Sequence, residues 1–460
     1  EQVVALSTAQ ISLGLSTTQI AVIETRDIAA LTTTQVNLGL ATEQVEALTT
    51  AQVAQGLTTA QIQSLSTSQV AALETQDVRV LTSTQAPTLS AEQIKLGLDT
   101  AQVAALSTAA IVSLTTAQVN LGLSTAQVAS LSTEQAAVLT TAQVNLGLST
   151  AQVAALVTAD VAALSTAAVA ALGTTQVSQG LTTAQVVGLA TVQVASLTSA
   201  QINLGLTTAQ IAVIETQDIA ALITAQVKLG LGTAQIAALT TSQARALTTE
   251  QISLGLTTAQ VAALTTADIS SLLTEQISLG LSTAQIVALT TAQAASLSPA
   301  QLSQGFSNAQ VAALETRDVA ALSTAAVAAL TTTQVSQGLT TAQIVALSNT
   351  STGQIVALTT AQIVALGTVQ VAVIETQDIA ALSTAQIAVL TTAQIVALTT
   401  AQVNLGLTTG QIVALGTTQV AVIETGDIAV LTTAHVAALT TAQLSLGLST
   451  AQLVALGSAQ

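Results

Sequence analysis

No cysteine, methionine, tryptophan or tyrosine occurs in this sequence, and Phe306 is its only large aromatic residue. A conventional core needs bulky side chains of several shapes to fix one packing, so any buried layer must be thin and built from small aliphatics. Lysine and arginine number only six among 460 residues, nowhere clustered, and the net charge is −16. That removes the basic footprint that nucleic acid binding requires. Without cysteine there is neither a disulfide nor a thiolate metal site, and the redox compartment stays open. Long apolar runs are missing as well. Mean hydropathy is +0.70, but a Thr/Gln group interrupts the aliphatics about every eight residues, whereas a membrane-spanning helix needs about 20 apolar residues in succession. No membrane span is expected.

What remains is a repeat. A unit begins with an aliphatic residue, usually Leu, at position 1. Ser or Thr follows at position 2, Thr at 3, a variable residue at 4, Gln at 5, Val or Ile at 6 and mostly Ala at 7 and 8, as in "LTTAQIQS" from Leu57. Other units have a ninth residue and end in Leu-Gly or Gln-Gly, as in "LSTAQISLG" from Leu6 and "LTTAQVAQG" from Leu48. One long and two short units make a higher period of 25 residues, with long units starting at Leu197, Leu222, Leu247, Leu272 and Leu297. Self-similarity at fixed period marks a solenoid, whose units bury their apolar face only by stacking. The expectation is one continuous array over residues 1–460 with about three units per coil. A local insertion of about three residues falls at 347–358, "LSNTSTGQIVAL". The chain opens with "EQVVAL" and closes with "GSAQ", both inside a unit, which reads as a segment of something longer.

Helix and strand compete for each unit. In a helix, position 2 is the N-cap and position 5 is N3, so Thr-x-x-Gln forms a capping box and positions 1 and 6 form a hydrophobic staple. Whether position 2 or 3 is the true cap is open, since position 2 tolerates Ala41, Val157 and Ile223. Glycine closing the long units sits where a helix ends in the left-handed region, and Pro299 lands at N1, which accepts proline. The charges sort as a helix dipole demands: 21 of 22 acids lie at positions 2, 4 or 5, Glu46 excepted, and Arg79, Lys95, Lys228 and Arg245 lie at position 7. Arg26 and Arg317 depart from this, each inside "ETRD". Against the helix stand the β-forming Thr, Val and Ile and Pro87 at position 7. The expected fold is an all-α solenoid of very short capped helices, with a three-sided β-solenoid as the alternative.

A helix of about six residues does not survive alone in water, where roughly 12–15 are needed. Burying one Leu and one Val or Ile contributes roughly 3–6 kcal/mol, against roughly 1–2 kcal/mol per residue of backbone ordering. The array should therefore fold cooperatively over several coils. At about 8–10 Å between packed helices, roughly eighteen coils predict a rod on the order of 150–180 Å long.

The "ETxD" units carry paired carboxylates: Glu24 and Asp27, Glu74 and Asp77, Glu215 and Asp218, Glu315 and Asp318, Glu375 and Asp378, Glu424 and Asp427. As acid and base they lack a cleft, and as calcium ligands they lack a dense oxygen loop, so they read as charged capping boxes. His435, the only histidine, sits in a Gln position and has no partners for a metal site or a Ser-His-Asp set. Gly14, Gly39 and Gly205 are single and read as helix terminators, unlike a phosphate-cradling run. No catalytic, cofactor-binding or metal residue is expected.

"LTTAQVVGLAT", residues 181–191, resembles the opening helix of TAL-effector repeats from plant pathogens, which implies that Leu-Thr-x-x-Gln-Val starts a helix. The 34-residue period and base-reading loop of those repeats are missing. Over the whole chain the units are similar to the "LTTAQI" arrays of very large bacterial exoproteins, the adhesion or heme-utilisation type. This resemblance implies a secreted or surface-bound stalk or filament. The expected role is a non-enzymatic spacer or scaffold in an extracellular fibre, associating with itself end to end or laterally. A module presenting Thr and Gln rows to glycan, mineral or ice is the alternative.

Overall fold

A computed structural model describes residues 2–348 and 353–459, apart from the side chains of 458 and 459. It divides into two compact units, Glu1–Ala238 and Leu239–Gln460. No strand occurs among the described residues, and both units are all-α repeat solenoids. The β-solenoid alternative falls away. No helix among them is long and apolar enough to cross a membrane.

Each helix starts as its cap dictates. Ser7 has extended dihedrals (φ −70°, ψ 159°), its hydroxyl accepts the Gln10 N–H at 3.2 Å, and Gln10 Oε1 accepts the Ser7 N–H at 2.8 Å. The box recurs at Thr58–Gln61, Ser124–Gln127 and Thr257–Gln260, which settles position 2 as the cap. Where position 2 is Ala41 no hydroxyl is present, yet Gln44 Oε1 still accepts the Ala41 N–H at 2.9 Å. Position 2 is tolerant because half of the box survives without it. Pro299 lies at N1, between Ser298 and Gln301 of such a box, and Pro87 sits in a 3₁₀ turn, Ala86–Thr88. Arg79, Lys95, Lys228 and Arg245 all lie in last turns.

Stacking follows a fixed rule. In the first unit Thr25–Ala30 packs on Gln52–Gly56, and Thr133–Ala137 on Thr158–Ala163, three repeat units apart; in the second, Thr291–Ala295 packs on Thr316–Ala321, which packs on Thr341–Ser348. Positions 1 and 6 form the core: Val53 and Ile219 in the first unit and Val319 and Ile344 in the second are wholly inaccessible.

The long units depart from expectation. Their glycines do not end helices in the left-handed region, since the only positive-φ residue described is Gly353. After the first long unit, whose helix Thr8–Gly14 stays α, the ninth residue is absorbed by a π turn, in which the next leading residue can bond five residues back: Leu57 N–H to Gln52 O and Leu148 N–H to Gln143 O, both at 2.8 Å. The glycine is there for close approach. A Cβ on Gly97 would lie 2.9 Å from Val70 Cβ, and one on Gly205 would lie 3.0 Å from Val177 Cβ, each on the coil beneath. Any side chain would push the coils apart.

Around residues 347–358 the coils keep their register. Gln354 Nε2 reaches the Leu322 carbonyl 32 residues back, where Gln334 reaches Phe306 from 28 and Gln386 reaches Leu358 from 28. The centre of the insertion, 349–352, lies outside the described residues.

Candidate functional site

The most distinctive polar feature of the array is the position-5 side chain, which works in two directions. Thr49 N–H donates to Gln52 Oε1 at 2.8 Å, while Gln52 Nε2 donates to the carbonyls of Ile20 and Ile23 at 2.7 and 2.8 Å. In the second unit, Ser307 N–H donates to Gln310 Oε1 at 2.8 Å, and Gln310 Nε2 donates to Ile277 and Leu281 at 2.8 and 2.7 Å. The accepting carbonyls belong to position 6 four units earlier and to the leading residue three units earlier. One glutamine thus seals its own helix and ties it to the coil beneath. Only a side chain that accepts at one atom and donates twice at another does both.

The capping box anticipated the first half of this arrangement and missed the second. A trace of it was present in the sequence: glutamate stands at positions 2, 4 and 7 but never at 5, where every acid is aspartate. A capping box by itself takes Glu as readily as Gln, so the exclusion points to the amide's donors.

The paired carboxylates are separated by the fold. The glutamates make no side-chain cap, and where position 4 carries Arg or Gln their carboxylates turn outward to it. Arg26 Nε lies 2.8 Å from Glu24 Oε2 and Arg317 Nε 2.6 Å from Glu315 Oε2, while Gln217 and Gln377 donate to Glu215 and Glu375 at 2.7 and 2.8 Å. Only the aspartate half of the expected charged box is seen, as in Asp77 Oδ2 accepting the Glu74 N–H at 3.3 Å. The aspartates occupy the glutamine position and, apart from the half-buried Asp27, are buried, Asp77 and Asp318 completely. One carboxyl oxygen in each of Asp77, Asp160, Asp218, Asp318 and Asp378 is buried without a hydrogen-bond partner. Burial pushes the Asp77 carboxyl up to about 6, against the pull of the Glu74 N–H and helped by the Glu74 charge. Burial raises Asp160, Asp218, Asp318 and Asp378 as well.

His435 fills a position-5 slot, with Nδ1 accepting the Thr432 N–H at 3.4 Å. Ala110, Ala168 and Ala326 fill others. Among the described residues no group of three or more His, Asp or Glu side chains is placed to hold a metal ion. Two surface depressions, of about 610 and about 360 Å³, include Arg26 and Asp27 in the first and Glu46, Glu74 and Asp99 in the second. Because the position-5 glutamines from Gln35 onward are buried, they form no surface row for a ligand.

What the surface does present is position 8 of the long units. Leu96, Leu121 and Leu146 in the first unit are 64–70% exposed, and Leu254 and Leu279 in the second 64% and 66%. Each follows from its neighbour: the adjacent glycine turns inward to touch the coil beneath, which turns the leucine out.

The repeat, the box and the stacking together agree with one family model, the ALTTAQ repeat, which matches residues 20–55, 70–108, 96–133, 153–191, 211–249, 311–349, 371–404 and 420–458, more than half of the chain. The chain belongs to the ALTTAQ repeat family. The matches of this family run through both compact units. No curated protein matches the chain in sequence.

Proposed function

We propose that this ALTTAQ array is a non-enzymatic spacer or scaffold in a bacterial cell-surface or extracellular fibre, associating with further copies end to end or laterally. The observation that carries this reading is the repeated glutamine link, the same three hydrogen bonds wherever glutamine holds position 5, which fastens successive coils in the same way. A segment built this way gains reach in proportion to the coils it holds. The "ETxD" acids also separate into an outward glutamate and an inward aspartate, which shares no cleft for acid–base work. The exposed leucines at position 8 supply apolar surface for lateral contact.

Small-angle X-ray scattering on chains lengthened by one, two and four copies of residues 197–221 tests this. The expected result is a maximum dimension that grows by a constant increment per coil. A dimension growing only as the cube root of mass would refute the spacer reading. Negative-stain microscopy of the same samples should show laterally paired or end-joined particles; single particles at all concentrations would remove the association.

A further inference from the structure

We propose that Asp77, Asp160 and Asp318 stand in the glutamine position as neutral acids, each donating a hydrogen bond to the coil beneath where glutamine donates its amide. Each such unit is then a joint fastened in acid and released at neutral pH.

Gln69 Nε2 donates to Val36 and Leu40, and Gln85 Nε2 to Val53 and Leu57, at 2.7 to 2.8 Å. By the same register, Asp77 between them stands over the carbonyls of Val45 and Leu48, Asp160 over those of Val128 and Leu131, and Asp318 over those of Ile286 and Leu289. One oxygen of each aspartate has a donor: Glu74 N–H for Asp77, and the Thr133 and Thr291 hydroxyls at 3.4 and 2.9 Å for Asp160 and Asp318. The other oxygen, Asp77 Oδ1, Asp160 Oδ2 or Asp318 Oδ2, is buried with no donor. An ionised carboxylate is an acceptor only. A proton on that oxygen turns it into a donor, the role glutamine's Nε2 fills in the neighbouring coils.

Few charges oppose this. Asp318 packs against Thr291–Ala295 and Thr341–Ser348, which carry none, leaving Glu315 and Arg317 of its own repeat. Asp160 packs against Thr133–Ala137, which brings Glu134, and against the uncharged Thr183–Val187. Asp77 packs against Thr100–Ala105, whose cap is Asp99, with Glu74 and Arg79 in its own repeat and Glu46 nearby. Carboxylates outnumber bases around Asp77 and Asp160, and this favours the proton; at Asp318 the pull of Arg317, whose Nε lies 3.8 Å from Oδ1, exceeds the push of Glu315, and burial is what raises the carboxyl. The folded chain therefore holds more protons than the unfolded chain between the ordinary carboxyl value and the raised one. The added stability is full below pH 4 and is lost as pH rises through about 6, the value reached by Asp77.

The test uses the full chain and two variants, D77N/D160N/D318N, which keeps an amide donor at every pH, and E43Q/E92Q/E275Q, which removes equal charge from exposed position-4 sites. Urea unfolding is followed by circular dichroism from pH 4.5 to 7.5 in sodium chloride and in calcium chloride. The native chain and the Glu→Gln variant should lose stability as pH rises, by up to roughly 100-fold in equilibrium constant at the Asp77 joint and in the same direction at the other two, and the Asp→Asn variant should not. Carbon-13 NMR of the native chain labelled at its nine aspartates should show carboxyls titrating well above the rest. Identical pH dependence in all three proteins overturns the proposal, as do aspartates that all titrate near 4. Stabilisation at pH 7.5 by calcium that the Asp→Asn variant loses would also overturn it, by placing a cation where the proton is proposed.

Discussion

Replacing Gln127 by glutamate separates two accounts of position 5. If the residue only caps its own helix, Q127E should be harmless, since glutamate at N3 keeps the acceptor for the Ser124 N–H and gains about 0.3–1 kcal/mol from the helix dipole. In the structure Gln127 Nε2 also donates to the carbonyls of Ile94 and Leu98 at 2.8 and 2.6 Å, and the residue is 3% exposed. Glutamate removes both donors and sets a carboxylate against two carbonyl oxygens. Each unmet buried polar group costs about 1–3 kcal/mol, so the two acceptors lose about 2–6 kcal/mol, and the buried charge adds to that. The inter-coil loss exceeds the local gain several-fold. Urea unfolding monitored by circular dichroism at pH 7 should therefore show a clear fall in midpoint for Q127E. The fall should be larger than for Q127A, which loses the same bonds without bringing a charge, and it should shrink in acid as the glutamate protonates. An unfolding midpoint for Q127E at or above that of the native chain would show that the bonds to Ile94 and Leu98 contribute nothing.

Glycine in the long units gives a paired test. G97A puts a Cβ 2.9 Å from Val70 Cβ and 3.0 Å from the Thr67 carbonyl and should cost about 1–3 kcal/mol by overpacking, whereas G14A meets nothing within 4 Å and should be neutral or stabilising by up to about 1 kcal/mol; thermal unfolding distinguishes them. Ala110 occupies a glutamine slot without a side-chain amide, and A110Q should raise stability by about 1 kcal/mol, read as a higher urea midpoint. Leu121 is 64% exposed, so L121S should change stability by less than about 0.5 kcal/mol while lowering any self-association seen by sedimentation velocity.

Much of the architecture was legible because its causes are local. Ser7 and Gln10, or Thr58 and Gln61, lie three residues apart and close a box inside one unit, so the helix start to within one residue, the side-chain pattern of the core and the sorting of acids from bases could all be read from spacing. Pro299 was legible for the same reason. Pro87 was not, because a 3₁₀ turn at a unit's end removes the conflict that an α-helix would impose. The candidate site divides along the same line. The Asp77 bond to Glu74 N–H is local and was expected; the burial of its second oxygen is set by a coil roughly thirty residues away.

The sequence alone therefore determined the period, the helical state of each unit and the capped end from which it grows, since those depend on bonds spanning three or four residues. Tertiary structure decided what glycine and glutamine are for. Gly97 is set by its approach to Val70, and Gln52 by the carbonyls of Ile20 and Ile23. Those contacts join residues 27 to 32 apart, and a side chain's burial and its distant acceptors exist only once the coils have stacked.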